Sequence, residues 1–171
     1  MIGRHNLPQD GQCILCCNHI SFNDPLVMIG MTKRKLSFIA KKELFKSKIV
    51  AWVLHRMTAI PIDRGAADVG AFRAAMATLK GGGCLGVYVT GHRMKDFDDG
   101  AVKAGSALFA HKSGAPVIPV GFKSRYLPFT RIIINIGEPV DLSEYLGKRA
   151  SSDDLNAMAL KITARIKELI I

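Results

Sequence analysis

The sequence predicts a single α/β domain, with a largely parallel central sheet flanked by helices. Three observations carry that expectation. Short apolar runs suited to strands recur six times, segments with helical apolar spacing fall between most of them, and glycine or proline marks many of the changeovers. At 171 residues the chain is long enough to bury a sizeable core. No linker, repeat or low-complexity stretch divides it, so residues 1–171 read as one domain.

Each element has its own reason. Residues 1–11 hold Pro8, Asp10 and Gly11 and read as a loop into a first strand over 12–17. Ile14-Leu15-Cys16-Cys17 is apolar throughout, as a strand covered on both faces would be. The chain turns polar at Asn18-His19, and Asp24-Pro25 then opens an apolar helical segment, Leu26 to Met31, with proline suited to its first turn. Further strands are expected over 36–40, 58–62, 84–89, 117–122 and 132–136. A helix over 68–80 carries Val69, Phe72, Met76 and Leu79 on one face and stops at Gly81-Gly82-Gly83. Another, over 101–113, stops at Gly114. The last helix opens on Ser151-x-x-Asp154, a capping-box pattern, and carries Leu155, Met158, Ile162, Ile166 and Leu169 at helical spacing. Val117-Ile118-Pro119-Val120 reads as a buried strand whose proline lies at an edge or a bulge.

Composition narrows the function classes. The net charge is +10, from 24 basic and 14 acidic residues, which points to an anionic partner: nucleic acid, a membrane surface or a phosphorylated substrate. Aromatic residues make up only 7% of the chain, in no repeated aromatic–basic pattern that would stack bases, so nucleic acid is the weaker choice. Cys13, Cys16, Cys17 and Cys84 are too few and too apolar in setting for a secreted disulfide scaffold. Cys13-x-x-Cys16 would point to opposite faces of a strand, and no second Cys or His pair follows at metal-ligand spacing, so no metal is expected. Small buried hydrophobes in a reducing cytosol fit these cysteines better. No signal peptide is visible, and no apolar run approaches the ~20 residues needed to span a bilayer.

The stretch from Lys33 to Leu54 is unusual. Lys33, Arg34, Lys35, Lys41, Lys42, Lys46 and Lys48 face one acid, Glu43, and Ile49, Val50, Trp52, Val53 and Leu54 follow directly. Cations beside an apolar patch with a tryptophan fit an interfacial helix on an anionic membrane. A solvated basic face beside an ordinary core helix fits the same residues.

The candidate chemistry begins at His19 and Asp24. They sit five residues apart on a strand-to-helix loop, where open α/β sheets gather ligands. A histidine can take a proton from a hydroxyl while a carboxylate holds its ring in the right tautomer. Asp24 could instead cap the helix, with His19 an ordinary loop residue. Two further strand ends carry arginine beside glycine: Ile60-Pro61-Ile62-Asp63-Arg64-Gly65 and Tyr88-Val89-Thr90-Gly91-His92-Arg93. Arginine suits bidentate phosphate recognition, and a helix start adds backbone donors.

In order, these segments resemble the motifs of the glycerolipid acyltransferases, most closely the bacterial 1-acylglycerol-3-phosphate acyltransferases. Asn18-His19-x4-Asp24 resembles the first motif, N-H-x4-D, and Ile60-Pro61-Ile62-Asp63-Arg64 the second. Tyr88 to Arg93 stands in the place of the third, usually F-P-E-G-T-R, and Ala115 to Val120 resembles the fourth. Ala40-Lys41-Lys42-Glu43-Leu44 is similar to the family's A-K-x-E-L segment. In the third motif Val89, Thr90 and His92 replace Pro, Glu and Thr, so a carboxylate that would contact the acceptor is missing.

The resemblance implies the glycerolphosphate acyltransferase-like fold. It also implies acyl transfer from acyl-CoA or acyl carrier protein to the free hydroxyl of a lysophospholipid, normally 1-acylglycerol 3-phosphate, giving phosphatidic acid. His19 would be the general base and Asp24 would orient it. Arg64 and Arg93 would hold the phosphate beside Thr90 and Gly91, and Lys41 would help stabilise the oxyanion. No cofactor beyond the acyl donor, no metal and no nucleic acid is expected. Many relatives carry an N-terminal apolar segment ahead of the first strand, so either membrane contact rests on Lys33 to Leu54 alone or the chain is a shortened version of a longer one. The expected place is cytoplasmic, peripheral on the inner face of the membrane. Two alternatives remain: a degenerate acyltransferase fold that binds an anionic lipid without turnover, and a basic nucleic-acid-binding domain.

Overall fold

A computed structural model describes residues 1–21, 23–63, 68–90, 104–124 and 131–170. The elements alternate as the apolar pattern predicts: β1 (Cys13–Cys17), α1 (Asp24–Met31), β2 (Leu36–Lys41), α2 (Lys48–Arg56), β3 (Ala59–Ile62), α3 (Val69–Lys80), β4 (Cys84–Tyr88), α4 (Gly105–Ser113), β5 (Val117–Lys123), β6 (Ile133–Ile136) and α5 (Ser152–Ile170). The strands form one six-stranded sheet in the order β3-β2-β4-β1-β5-β6. All neighbours pair in parallel except β6, which runs antiparallel to β5.

Topology decides which helix covers which face. The connections through α1 and α2 step toward the β3 edge, and those through α3 and α4 step back toward β5. Right-handed crossovers therefore put α1 and α2 on one face and α3 and α4 on the other. The packing agrees. Ala75 and Leu79 of α3, Ala107 and Phe109 of α4, and Met158 and Ile162 of α5 share a core with Ile14 and Cys16 of β1. Met28 and Met31 of α1 pack with Cys13, Leu15 and Cys17 on the other side. Alternate residues of β1 thus feed two cores, and all five are buried, as the uninterrupted apolar run requires. Cys13 and Cys16 do point to opposite faces.

Local signals place the helix ends. The Asp68 side chain caps α3, accepting from Ala71 N at 2.9 Å and also from Asp63 N, at the end of β3, at 2.9 Å. Ser151 and Asp154 exchange the two bonds of a capping box ahead of α5. Gly114 ends α4 in the left-handed conformation at φ 66°. Gly86 of β4 lets α1 lie close to the sheet: a Cβ there would come within 2.5 Å of Met28 Sδ.

Two expectations change. Pro119 is not at an edge, because β5 lies between β1 and β6. Strand residues alternate the direction of their backbone groups, and Pro119 faces the β6 side, where its carbonyl accepts from Gly137 N at 2.9 Å. β6 itself ends at Ile136, opposite Val120, so the missing proline N–H faces past its last residue. The stretch from Lys33 to Leu54 is also not one amphipathic unit. β2 takes six of its residues, a 3-10 turn over Lys42–Lys46 follows, and only Lys48–Arg56 is α-helical. On that helix Leu54 is buried, while Ile49 and Trp52 are 78% and 61% exposed.

Candidate active site

β1 and β4 are neighbours at the centre of the sheet, and their onward connections leave in opposite directions. That is a topological switch point, whose crevice lies beyond the carboxyl ends of the two strands. His19 follows β1 there, and Tyr88, Val89 and Thr90 close β4 beside it, with Val89 N bonded to Cys17 O at 3.1 Å.

His19 and Asp24 come together as their spacing predicts. His19 Nδ1 lies 2.7 Å from Asp24 Oδ2, and their side chains are 15% and 0% exposed. The same oxygen accepts from Ile20 N at 2.7 Å and from Ser21 N at 2.8 Å. Two backbone donors and the ring nitrogen converge on one oxygen, as suits a carboxylate, which has only acceptors to offer. Asp24 is also the first residue of α1, where the positive end of the helix dipole favours a negative side chain. A proton held on Nδ1 leaves the lone pair of Nε2 for chemistry. The residue ahead of the helix is Asn23, and its side chain makes no capping bond.

Two residues position this pair through contacts that sequence spacing does not reveal. Asn18 is buried, and its carboxamide meets the backbone of Phe122 twice: Nδ2 donates to Phe122 O at 2.9 Å, and Oδ1 accepts from Phe122 N at 2.7 Å. The β1–β5 ladder ends at Cys17 opposite Val120, so the side chain takes over the next pair of backbone groups on β5. The main chain is released to turn while its last rung is kept. The second residue is Tyr88, whose ring stacks on His19 with centroids 4.1 Å apart and planes 19° from parallel. Both partners are distant in sequence, so neither contact could be found from spacing.

The other predicted residues fall as follows. Thr90 is fully buried at the end of β4. Lys41 ends β2 on the same edge of the sheet, half exposed, with Nζ 3.5 Å from Glu43 Oε1. Arg64, Gly91 and Arg93 lie outside the described residues. Cys16 and Cys17, close to the site, are poor nucleophiles: burial pushes the Cys16 thiol up to about 12 and the Cys17 thiol well above its ordinary value. Among the described residues no group of three or more His, Cys, Asp or Glu could hold a metal ion. No helix among them is long and apolar enough to cross a membrane.

Comparison with known proteins bears on the family and the fold. The Acyltransferase family profile matches residues 1–123, well over half the chain and all of the sheet through β5. The chain belongs to the Acyltransferase family. Among curated members it is similar to the 1-acyl-sn-glycerol-3-phosphate acyltransferase of Bacillus subtilis, with 27% identity across 97% of this chain and 85% of that protein. It is 30% identical to the enzyme of the same name from Streptococcus pneumoniae, across 94% of this chain and 61% of that one. The crystal structure of the 1-acyl-sn-glycerophosphate (LPA) acyltransferase PlsC from Thermotoga maritima superposes with a TM-score of 0.70 at 28% identity, covering 98% of this chain and 70% of that one. This acyltransferase therefore has the expected α/β architecture, and its His–Asp pair lies within the residues that match the family.

Proposed function

We propose that this acyltransferase moves an acyl group from a thioester, acyl-CoA or acyl carrier protein, to the free hydroxyl of 1-acylglycerol 3-phosphate, giving phosphatidic acid. The observation that carries the reading is the His19–Asp24 pair at the switch point of the sheet. An alcohol is a weak nucleophile at neutral pH and needs a base as it attacks. His19 Nε2 takes the hydroxyl proton while the oxygen attacks the thioester carbonyl. Asp24 keeps the other ring proton on Nδ1 and stabilises the imidazolium that forms. The tetrahedral intermediate then collapses, the thiolate leaves, and the imidazolium returns the proton to it. No covalent enzyme intermediate is needed, which fits the unreactive setting of Cys16 and Cys17.

The relatives' shared acceptor and the net charge of +10 support an anionic lipid substrate. In this reading Arg64 and Arg93 bind the acceptor phosphate beside Thr90 and Gly91, and Lys41 stabilises the developing oxyanion. The protein works on the inner face of the membrane, bound through the basic stretch from Lys33 and the exposed Ile49 and Trp52 of α2. Thiol release from acyl-CoA and from acyl carrier protein, each with a panel of lysophospholipids, tests the reaction. We expect release with 1-acylglycerol 3-phosphate, and a loss of ~10²–10⁴ in kcat in folded His19→Ala. Anionic-lipid binding without thiol release from any donor and acceptor pair would instead make the chain a lipid-binding member of its family.

A further inference from the structure

At the opposite, amino-terminal edge of the sheet, Cys13 and Cys84 open β1 and β4 and face each other in register. Their Sγ atoms are 3.1 Å apart and share a hydrogen bond. Arg34 lies over the pair. Its Nη1 donates to Cys13 Sγ at 3.3 Å, and the guanidinium is held in place by the carbonyls of Pro8, Asp10, Gly11 and Gly82. Neighbouring parallel strands lie about 4.8 Å apart, which sets the Cα separation of residues directly opposite. That falls inside the roughly 4.4–6.8 Å window a disulfide needs, with both side chains on the same face of the sheet. The pair could therefore be joined without moving either strand.

Its surroundings also set Cys13 apart from the other cysteines. The bond from Cys84 and the charge of Arg34 bring the Cys13 thiol down to about 7, against burial, while the Cys84 thiol is raised. Cys16 and Cys17, on the same strand, are both raised. One activated sulfur touching a second thiol beneath a fixed cation is the arrangement of an attacking and a resolving cysteine.

We propose that Cys13 and Cys84 are a hydroperoxide-reactive dithiol that closes into a disulfide between the two central strands. Both cysteines are only 1% exposed, so the oxidant proposed for them is one as small as a hydroperoxide. The Cys13 thiolate attacks one peroxide oxygen, the O–O bond breaks, and hydroxide leaves as Cys13 becomes a sulfenic acid. Cys84 sulfur then attacks Cys13 sulfur. The S–S bond forms, and the sulfenic oxygen departs as water with the Cys84 proton. The two thiols are oxidised by two electrons, and one hydrogen peroxide is reduced to two oxygens at the level of water. This inference stands independently of the acyl-transfer reading.

The test is peroxide treatment of the whole protein, acid quenching, alkylation in denaturant and non-reducing peptide mapping. We expect a Cys13–Cys84 cross-linked peptide, free thiols falling from four to two, Cys16 and Cys17 still alkylated, and full reversal by dithiothreitol. In Cys84→Ala the reaction should stop at a Cys13 sulfenic acid that dimedone traps. Arg34→Gln should slow cross-linking at least tenfold. The peptide map of the unaltered protein decides the matter even if a variant folds poorly. Cys13 and Cys84 remaining as thiols, or Cys16 or Cys17 oxidising as fast as Cys13, would overturn the proposal.

Discussion

Replacing Asn18 by alanine probes how the site is held rather than how it reacts. The side chain makes two hydrogen bonds to Phe122, at 2.9 and 2.7 Å, in a setting only 2% exposed. A typical intramolecular hydrogen bond contributes ~0.5–1.5 kcal/mol net, and a buried group left without a partner costs ~1–3 kcal/mol. Alanine removes both bonds and strands both the N–H and the C=O of Phe122. Two such losses, partly relieved by water entering the space of the carboxamide, come to ~2–4 kcal/mol. For a chain of this size ~3 kcal/mol lowers Tm by roughly 6–12 °C. Asn18→Asp should be no milder. It keeps an acceptor for Phe122 N but turns a carboxylate oxygen toward Phe122 O. Urea denaturation at constant m-value is the assay, with thiol release measured where each variant is still folded. Activity should fall as well, because His19 is the next residue and the loop loses its anchor to β5. An Asn18→Ala protein within ~0.5 kcal/mol of wild type would refute the reasoning, because the two bonds would then be exchanged for water at no cost.

Asp24→Asn should lower kcat by ~10²–10⁴, since an amide can turn its NH₂ toward His19 Nδ1 and favour the wrong tautomer; a steady-state rate near wild type would contradict the orienting role. Gly121→Ala should destabilise the fold by ~1–3 kcal/mol in chemical denaturation, because its Cβ would lie 2.7 Å from both Leu169 Cβ and Leu169 O and force the end of α5 outward. Trp52→Ala with Ile49→Ala should weaken sedimentation with anionic liposomes while leaving Tm within ~1 °C, because both side chains are exposed. Raising salt should weaken binding by the native protein too, since surface charge is screened over ~8–10 Å at physiological ionic strength. Arg64→Ala should raise the KM for a phosphorylated acceptor and leave the KM for the acyl donor unchanged in steady-state kinetics with each substrate varied separately.

The strands were legible because a two-sided core demands apolar residues at every position, and Cys13–Cys17 offers five in a row. The helix ends were legible because caps are local: Ser151 and Asp154, or Lys80 followed by Gly81-Gly82, signal themselves within a few residues. His19 and Asp24 were legible for the same reason, since only four residues separate them in the sequence. Pro119 was misplaced because its tolerance depends on where β6 stops, which only pairing can decide. The Asn18 clamp was invisible because its partner lies 104 residues away. The stack of Tyr88 on His19 depends on β4 inserting beside β1, a consequence of strand order rather than of either residue.

The compactness of the His19–Asp24 unit has a consequence for how such an enzyme can change over generations. The proposed base, its orienting carboxylate and the two amides that fix it lie within six residues of sequence, His19 to Asp24. The proposed acceptor contacts come from elsewhere in the sequence, after β3 and after β4. In this reading the pair that moves the proton and the residues that choose the substrate are written in separate stretches of chain, which meet where Tyr88 of β4 stacks on His19. In the proposed reading, Thr90 in the place of a glutamate changes a contact to the acceptor and leaves His19 and Asp24 as they are. A lineage built this way can sample new acceptors one residue at a time without first losing its base.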